Sequence, residues 1–208
     1  MQVEMFSLGP LETNSYLAIE GDTAIAVDAG GEPGPMLRYL EKFGLTLSHI
    51  LLTHLHFDHI YGARALHQAT NAPILAGAGD AYLLETELGR GGFMGFPEVE
   101  EFTFTPLAPG ELSLLDQPCT VLATPGHTPG SLSFYFPRAG LVFSGDVVFY
   151  RSVGRTDFPG GSHQTLMESV RDKILSLPPE TVIYSGHGLE TSVAQEMLHN
   201  PYCSDFSR

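Results

Sequence analysis

Apolar and polar positions alternate through the first 28 residues. Val3 and Met5 are followed by Tyr16-Leu17-Ala18-Ile19, a Gly21-Asp22 turn and Ala24-Ile25-Ala26-Val27. A period of two with a turn pair between apolar runs predicts an antiparallel meander. Asp28-Ala29-Gly30-Gly31 ends it, and Met36, Leu37, Leu40 and Phe43 then recur at helical spacing. Gly44 stands where a helix C-terminus favours glycine. His49-Ile50-Leu51-Leu52 reads as a short strand. The second half repeats the style. Strands are predicted at Cys119–Ala123, Ser131–Phe136, Leu141–Phe143 and Thr181–Tyr184. A helix is predicted from Ser162 to about Leu177, with Leu166, Val170 and Ile174 as its apolar stripe and Pro178-Pro179 as its stop. Strands open each half and helices follow, which predicts an α/β chain with two sheets covered by helices.

Thr86–Phe102 fits neither period. Gly89, Gly91, Gly92 and Gly95 stand among Phe93, Met94 and Phe96, and three glutamates follow. Either this is a functional loop or its aromatics tuck into the core.

Composition narrows the function. The 208 residues carry 24 Asp plus Glu against 10 Lys plus Arg, a formal charge of -14. That excess opposes nucleic acid and anionic membrane surfaces, which both need local positive charge. No apolar run approaches the ~18 residues of a membrane helix, and Met1-Gln2-Val3-Glu4 lacks a basic-then-apolar signal. Cys119 and Cys203 imply no disulfide framework. The expectation is a soluble cytoplasmic protein, one domain over 1–208, monomeric or a small homo-oligomer. The 9 histidines nearly equal all lysines and arginines together, and they carry the chemistry.

Thr53-His54-Leu55-His56-Phe57-Asp58-His59 packs three histidines and an aspartate into six positions. Residues i and i+2 share a face only in extended chain, so His54 and His56 can meet one metal if the strand before them continues. Asp58 and His59 would turn toward a second point where a helix begins near Ile60. His127, Asp146 and His187 each stand on a glycine-flanked turn after a predicted strand. Read singly, such a histidine is more often hydrogen-bonded or solvated than a ligand. Read with the dense motif, they complete a nitrogen and oxygen donor set without cysteine, suited to Zn(II), Fe or Mn. His49, His67, His163 and His199 read as ordinary packing or surface residues.

The Thr53–His59 motif resembles the T-H-x-H-x-D-H motif of the metallo-β-lactamase superfamily. Gly126-His127-Thr128-Pro129-Gly130-Ser131, Ser144-Gly145-Asp146 and Ser185-Gly186-His187-Gly188 resemble its later metal loops, in order, and Val27-Asp28-Ala29-Gly30 its early strand–turn. The resemblance implies a four-layer αββα sandwich and two divalent ions. It gives His54, His56 and His127 to the first ion and Asp58, His59 and His187 to the second, with Asp146 and a hydroxide bridging them. Asp58 and Asp146 would be catalytic, acting with that metal-bound hydroxide, and Asp28 and Thr53 would orient the ligand loop. Two such ions and a hydroxide against two carboxylates leave the site at about +1, so the acidic surface does not oppose an anionic substrate.

Gly154-Arg155-Thr156-Asp157-Phe158-Pro159-Gly160-Gly161, with Asn200-Pro201, resembles the glyoxalase II group, above all its short bacterial type. That implies hydrolysis of a small anionic thioester, S-hydroxyacyl-glutathione such as S-lactoylglutathione. The longer enzymes end in a helical domain with basic glutathione contacts. This chain stops at Arg208, so recognition is expected within the catalytic domain. Arg155 is the candidate anion contact, with a salt bridge to Asp157 as its bland reading, and Phe93 and Phe96 are candidates for the acyl or thiol pocket. The main rival is a glutathione persulfide dioxygenase of the same fold, with one iron on His54, His127 and Asp146. It is disfavoured because His187-Gly188-Leu189 stands where those enzymes carry Asp-Tyr. A β-lactamase is disfavoured by the bridging Asp146 and the lack of an export signal.

Overall fold

The computed structural model describes residues 1–203 and divides the chain into two compact units, 1–107 and 108–208. The expected single domain over 1–208 ends in 204–208, which lie outside the described residues.

The first unit is built on a six-stranded sheet in chain order. Strands β1 (Gln2–Leu8), β2 (Thr13–Glu20) and β3 (Thr23–Val27) form the expected meander, with Met5 opposite Tyr16 and Tyr16 opposite Val27. Strands β4 (Thr46–Leu51), β5 (Ile74–Ala76) and β6 (Thr105–Pro106) then add in parallel. Parallel pairing needs crossovers, and helices α1 (Gly34–Phe43) and α3 (Ala63–Thr70) supply the first two. Met36 and Leu40 bury one face of α1. Gly44 ends that helix at φ 64°, the left-handed value the sequence required. Its N–H donates to the Glu41 carbonyl at 3.2 Å, and Leu45 N–H donates to Leu40 at 2.9 Å. A 3₁₀ segment (Ala78–Glu85) leads into a short helix α4 (Glu87–Arg90). The Thr86–Phe102 segment is thus partly ordered by α4, and its remainder is pinched shut by Val99 N–H donating to the Arg90 carbonyl at 2.7 Å.

The second unit carries another six-stranded sheet, ordered β14-β13-β10-β9-β8-β7. Its strands are β7 (Gly110–Leu114), β8 (Gln117–Ala123), β9 (Leu132–Phe136), β10 (Leu141–Gly145), β13 (Val182–Ser185) and β14 (Thr191–Ser192). Only the β10–β13 pair is parallel. A small hairpin, β11 (Val148–Phe149) and β12 (Ser152–Val153), stands apart from that sheet. Ser162 caps helix α5 (His163–Ser169) by accepting from Thr165 N–H at 3.3 Å. The expected helix to Leu177 is corrected here. The chain widens into a π-helical turn over Val170–Ile174, where Leu175 N–H donates to the Val170 carbonyl at 2.8 Å. The wider turn leaves Val170, Ile174 and Leu175 all buried with Leu166. Helix α6 (Val193–His199) closes the unit, capped by Ser192. Among the described residues no helix is long and apolar enough to cross a membrane.

Candidate metal centre

In the first unit the histidine motif follows β4 past a bend at Thr53, and His56 is extended at φ -73° and ψ 144°. A one-turn helix α2 (Phe57–Ile60) follows. It begins at Phe57, not near Ile60, because His59 N–H already donates to the His56 carbonyl at 2.9 Å. The bend collects all four donors. His54 and His56 rings meet edge-on with centroids 4.8 Å apart, and His54 and His59 centroids lie 4.0 Å apart. Ligand atoms of His54 fall within 4.8 Å of those of both His56 and His59.

Asp28 ties the motif together from below. It is 2% exposed and sits at φ 58°. Its Oδ1 accepts Thr53 N–H at 2.8 Å, and its Oδ2 accepts Thr53 Oγ1–H and His59 Nδ1–H, each at 2.8 Å. Thr53 has given its one proton to Asp28, so at 3.1 Å it accepts from His54 Nδ1–H. The acceptors fix both tautomers. Nδ1 carries the proton in His54 and His59, and Nε2 presents the lone pair.

The second unit repeats this logic. His127 Nδ1–H donates to the Arg155 carbonyl at 2.7 Å, which leaves the lone pair on Nε2. Its Nε2 lies 3.6 Å from Asp146 Oδ2, and His187 Nε2 lies 3.7 Å from the same oxygen. In the first unit His59 Nε2 and Asp58 Oδ2 are likewise 3.6 Å apart. These separations exceed hydrogen-bond length. Two ligands at ~2.1 Å from one tetrahedral ion stand about 3.4 Å apart. The donor atoms in each unit are therefore spaced as co-ligands of an ion, and their chemistry fits a divalent metal.

Glycine makes room at two points. A Cβ on Gly154 would lie 1.9 Å from the Asp146 carbonyl oxygen and 3.5 Å from His127 Nδ1. Gly126, at φ 132°, would drive a Cβ to 2.3 Å from the backbone of Leu166 in α5. Each lets two stretches of main chain touch where a side chain would hold them apart.

Arg155 takes the bland arrangement. Its Nε and Nη2 fork onto both oxygens of Asp157 at 2.8 Å, and its guanidinium lies 3.9 Å from the Phe158 ring centroid. Its carbonyl reaches His127, a candidate ligand. The fork holds the Asp157 carboxyl down at about 2. Phe93 and Phe96 pack 5.5 and 5.0 Å from Phe57, the residue between His56 and Asp58, while Met94 is 88% exposed. Phe93 and Phe96 are therefore set against the histidine motif, while Leu88, Val99 and Phe102 of the same segment pack on the first unit's core.

Three supporting residues escaped sequence reasoning. Thr13 Oγ1–H donates to Asp58 Oδ2 at 3.0 Å. Ser15 Oγ accepts Gly30 N–H at 2.9 Å, and the buried Asp80 accepts Leu55 N–H at 3.2 Å. The one available signal was the polar run Thr13-Asn14-Ser15 opening a strand that is buried throughout except at Glu20.

Comparison with known proteins gives a consistent picture. The family model described as the metallo-beta-lactamase superfamily matches residues 8–187. "Probable metallo-hydrolase YqgX" of Bacillus subtilis (strain 168) is 38% identical over 210 residues, spanning 100% of both chains. "Hydroxyacylglutathione hydrolase GloC" of Haemophilus influenzae is 33% identical over 214 residues, again across 100% of both. Among solved structures, the BLEG-1 B3 metallo-β-lactamase superposes with TM-score 0.92 at 36% identity, covering 98% of this chain and 100% of its own. TTHA1623 in a di-iron-bound form gives TM-score 0.87 at 36% identity, covering 96% and 99%.

Proposed function

Because this chain belongs to the metallo-β-lactamase superfamily and has its fold, we propose that it is a dinuclear metal-dependent thioester hydrolase acting on S-hydroxyacyl-glutathione. One observation carries the metal-dependent part. Imidazole Nε2 atoms, each in its ligating tautomer at His59 and His127, stand 3.6 Å from carboxylate oxygens. The full-length likeness to the hydroxyacylglutathione hydrolase GloC supports the substrate class.

In this reading His54, His56 and His127 would hold one ion and Asp58, His59 and His187 the other, with Asp146 available to both. The superfamily motifs support that assignment. When bound, divalent ions supply a Lewis acid and a water nucleophile acidified toward neutral pH. The chain's residues do the rest. Asp28 and the Arg155 carbonyl keep Nδ1 protonated, so that Nε2 faces the ions. Thr13 holds Asp58 by one oxygen. Phe57, Phe93 and Phe96 give an apolar wall beside the motif that keeps water from the acyl group and strengthens local electrostatics. Zinc, iron and manganese all suit these donors, and the di-iron form of TTHA1623 keeps iron in view.

The test is S-lactoylglutathione hydrolysis measured beside metal content, with a chromogenic β-lactam and glutathione persulfide as competing substrates. Hydrolysis of the thioester with two ions per chain is expected. One iron per chain with oxygen uptake on the persulfide would replace this reading with the dioxygenase. β-Lactam turnover without thioester turnover would replace it with the activity named for BLEG-1. His56→Ala and Asp146→Ala are expected to abolish thioesterase activity in folded protein. Residual activity above about a tenth of wild type, with metal still bound, would contradict the ligand assignment.

A further inference from the structure

The β11–β12 hairpin touches every ligand loop of the second unit. It grows directly out of Asp146. Its Val148 carbonyl accepts Ser185 Oγ–H at 2.7 Å, two residues before His187. It runs out through Gly154, seated on the Asp146 carbonyl, to the Arg155 carbonyl that holds His127. The pose of this hairpin therefore bears on all three donors.

Its tip is held on α6, where Gln195 accepts from the Arg151 guanidinium through its carbonyl at 2.7 Å and its Oε1 at 3.0 Å, and a buried carboxylate takes the rest. Glu196 on α6 is fully buried. Its Oε2 accepts Arg151 N–H at 2.9 Å and Asn200 Nδ2–H at 2.8 Å. Its Oε1 accepts Arg151 Nη1–H at 2.8 Å and Thr191 Oγ1–H at 2.5 Å. Arg151 stands at the hairpin turn at φ 61°, a conformation that a non-glycine residue keeps only when held. Asn200 spans the same gap, donating also to the Ser152 carbonyl at 2.9 Å. A buried carboxylate with four donors is costly to assemble, and no metal-ligand or substrate role accounts for it.

We propose that Glu196 is a positioning residue for the metal ligands: with Asn200 it clamps the tip of the β11–β12 hairpin and thereby sets the pose of Asp146, of the Arg155 carbonyl behind His127, and of the His187 loop. This rests on the metal-dependent reading above and assigns a role to the Asn200-Pro201 element of the sequence. Glu196→Gln keeps the shape, but it turns an NH₂ toward two of the four donors. Disturbing the partners behind metal ligands weakens metal binding by ~10-fold or more.

The experiment uses the full chain. Zinc affinity is read by competition with a chromophoric chelator. The visible bands of the Co(II)-substituted protein report ligand geometry without reference to activity. Glu196→Gln is expected to weaken zinc binding about 10-fold and to change the Co(II) bands. Asn200→Ala removes the amide's bonds to the Ser152 carbonyl and Glu196 Oε2, and the one it accepts from Tyr202 N–H. It is expected to weaken zinc about threefold, and it decides the matter should Glu196→Gln not fold. Folded variants with wild-type zinc affinity and wild-type Co(II) bands, whatever their melting temperature, overturn the inference. Wild-type protein that binds no zinc, iron or manganese overturns the metal reading instead.

Discussion

Asp28→Asn separates the carboxylate's role from the backbone's. Asparagine tolerates left-handed φ better than most residues, so the 58° at position 28 is not an added strain. The side chain is what changes. Oδ2 accepts two protons and Oδ1 one. An amide can place its oxygen on the two-proton side, but its NH₂ then faces Thr53 N–H. One charge-assisted bond becomes a donor–donor contact, at about 2 kcal/mol, and the other two fall to neutral strength, at about 0.5–1 kcal/mol each. The total is about 3–4 kcal/mol. For a chain of this size each kcal/mol moves the melting temperature by ~2–4 °C, so the apo protein should melt about 6–16 °C lower. The same change loosens His59 directly and His54 through Thr53, and zinc affinity should fall ~10–100-fold. Circular-dichroism melts of the apo protein and a chelator competition read the two effects. An apo melting temperature within about 2 °C of wild type, with zinc affinity unchanged, would refute the claim that this carboxylate frames the motif.

Gly154→Ala must displace main chain, since its Cβ would lie 1.9 Å from the Asp146 carbonyl; thioester turnover should fall about 100-fold, while the control Gly34→Ala, which meets only the Arg38 side chain, leaves it unchanged. Phe96→Ala opens the wall against Phe57 and should raise KM for the thioester about fivefold with kcat little altered; a pure kcat loss would remove Phe96 from the substrate contacts. Burial pushes the Cys119 thiol up to about 12 and the Cys203 thiol to about 11. The reactive thiolate therefore appears only as pH climbs toward those values, and an aromatic disulfide reagent at pH 8 should modify neither thiol in native protein and both in denaturant.

Legibility followed distance along the chain. The meander could be read because its apolar runs are too short for helices and a Gly21-Asp22 turn separates two of them, and α1 because Gly44 marks its stop. The candidate ligands stood out because three imidazoles and a carboxylate in six positions have few other uses. What holds the ligands was harder to see. Thr13 reaches Asp58 across 45 residues and Arg151 reaches Glu196 across 45, and no local pattern records either pairing. Strands of two or three residues, such as β5, β6 and β14, exist through their neighbours and have no period of their own. The π-helical turn that follows α5 was hidden for the same reason, since Leu166, Val170 and Ile174 suit a regular helix equally well. Arg155 shows another limit, since its side chain stands out in the sequence while the carbonyl that accepts from His127 leaves no trace there.

The Asp28 junction also bears on transplantation. Its three donors come from positions 25 and 31 residues downstream. A synthetic peptide copying Thr53–His59 would carry every candidate ligand of the first unit but not Asp28, leaving the His59 tautomer unset and Thr53 without the acceptor that turns it toward His54. Grafting this chemistry onto another scaffold means moving the end of β3 together with the motif, as two segments in fixed register.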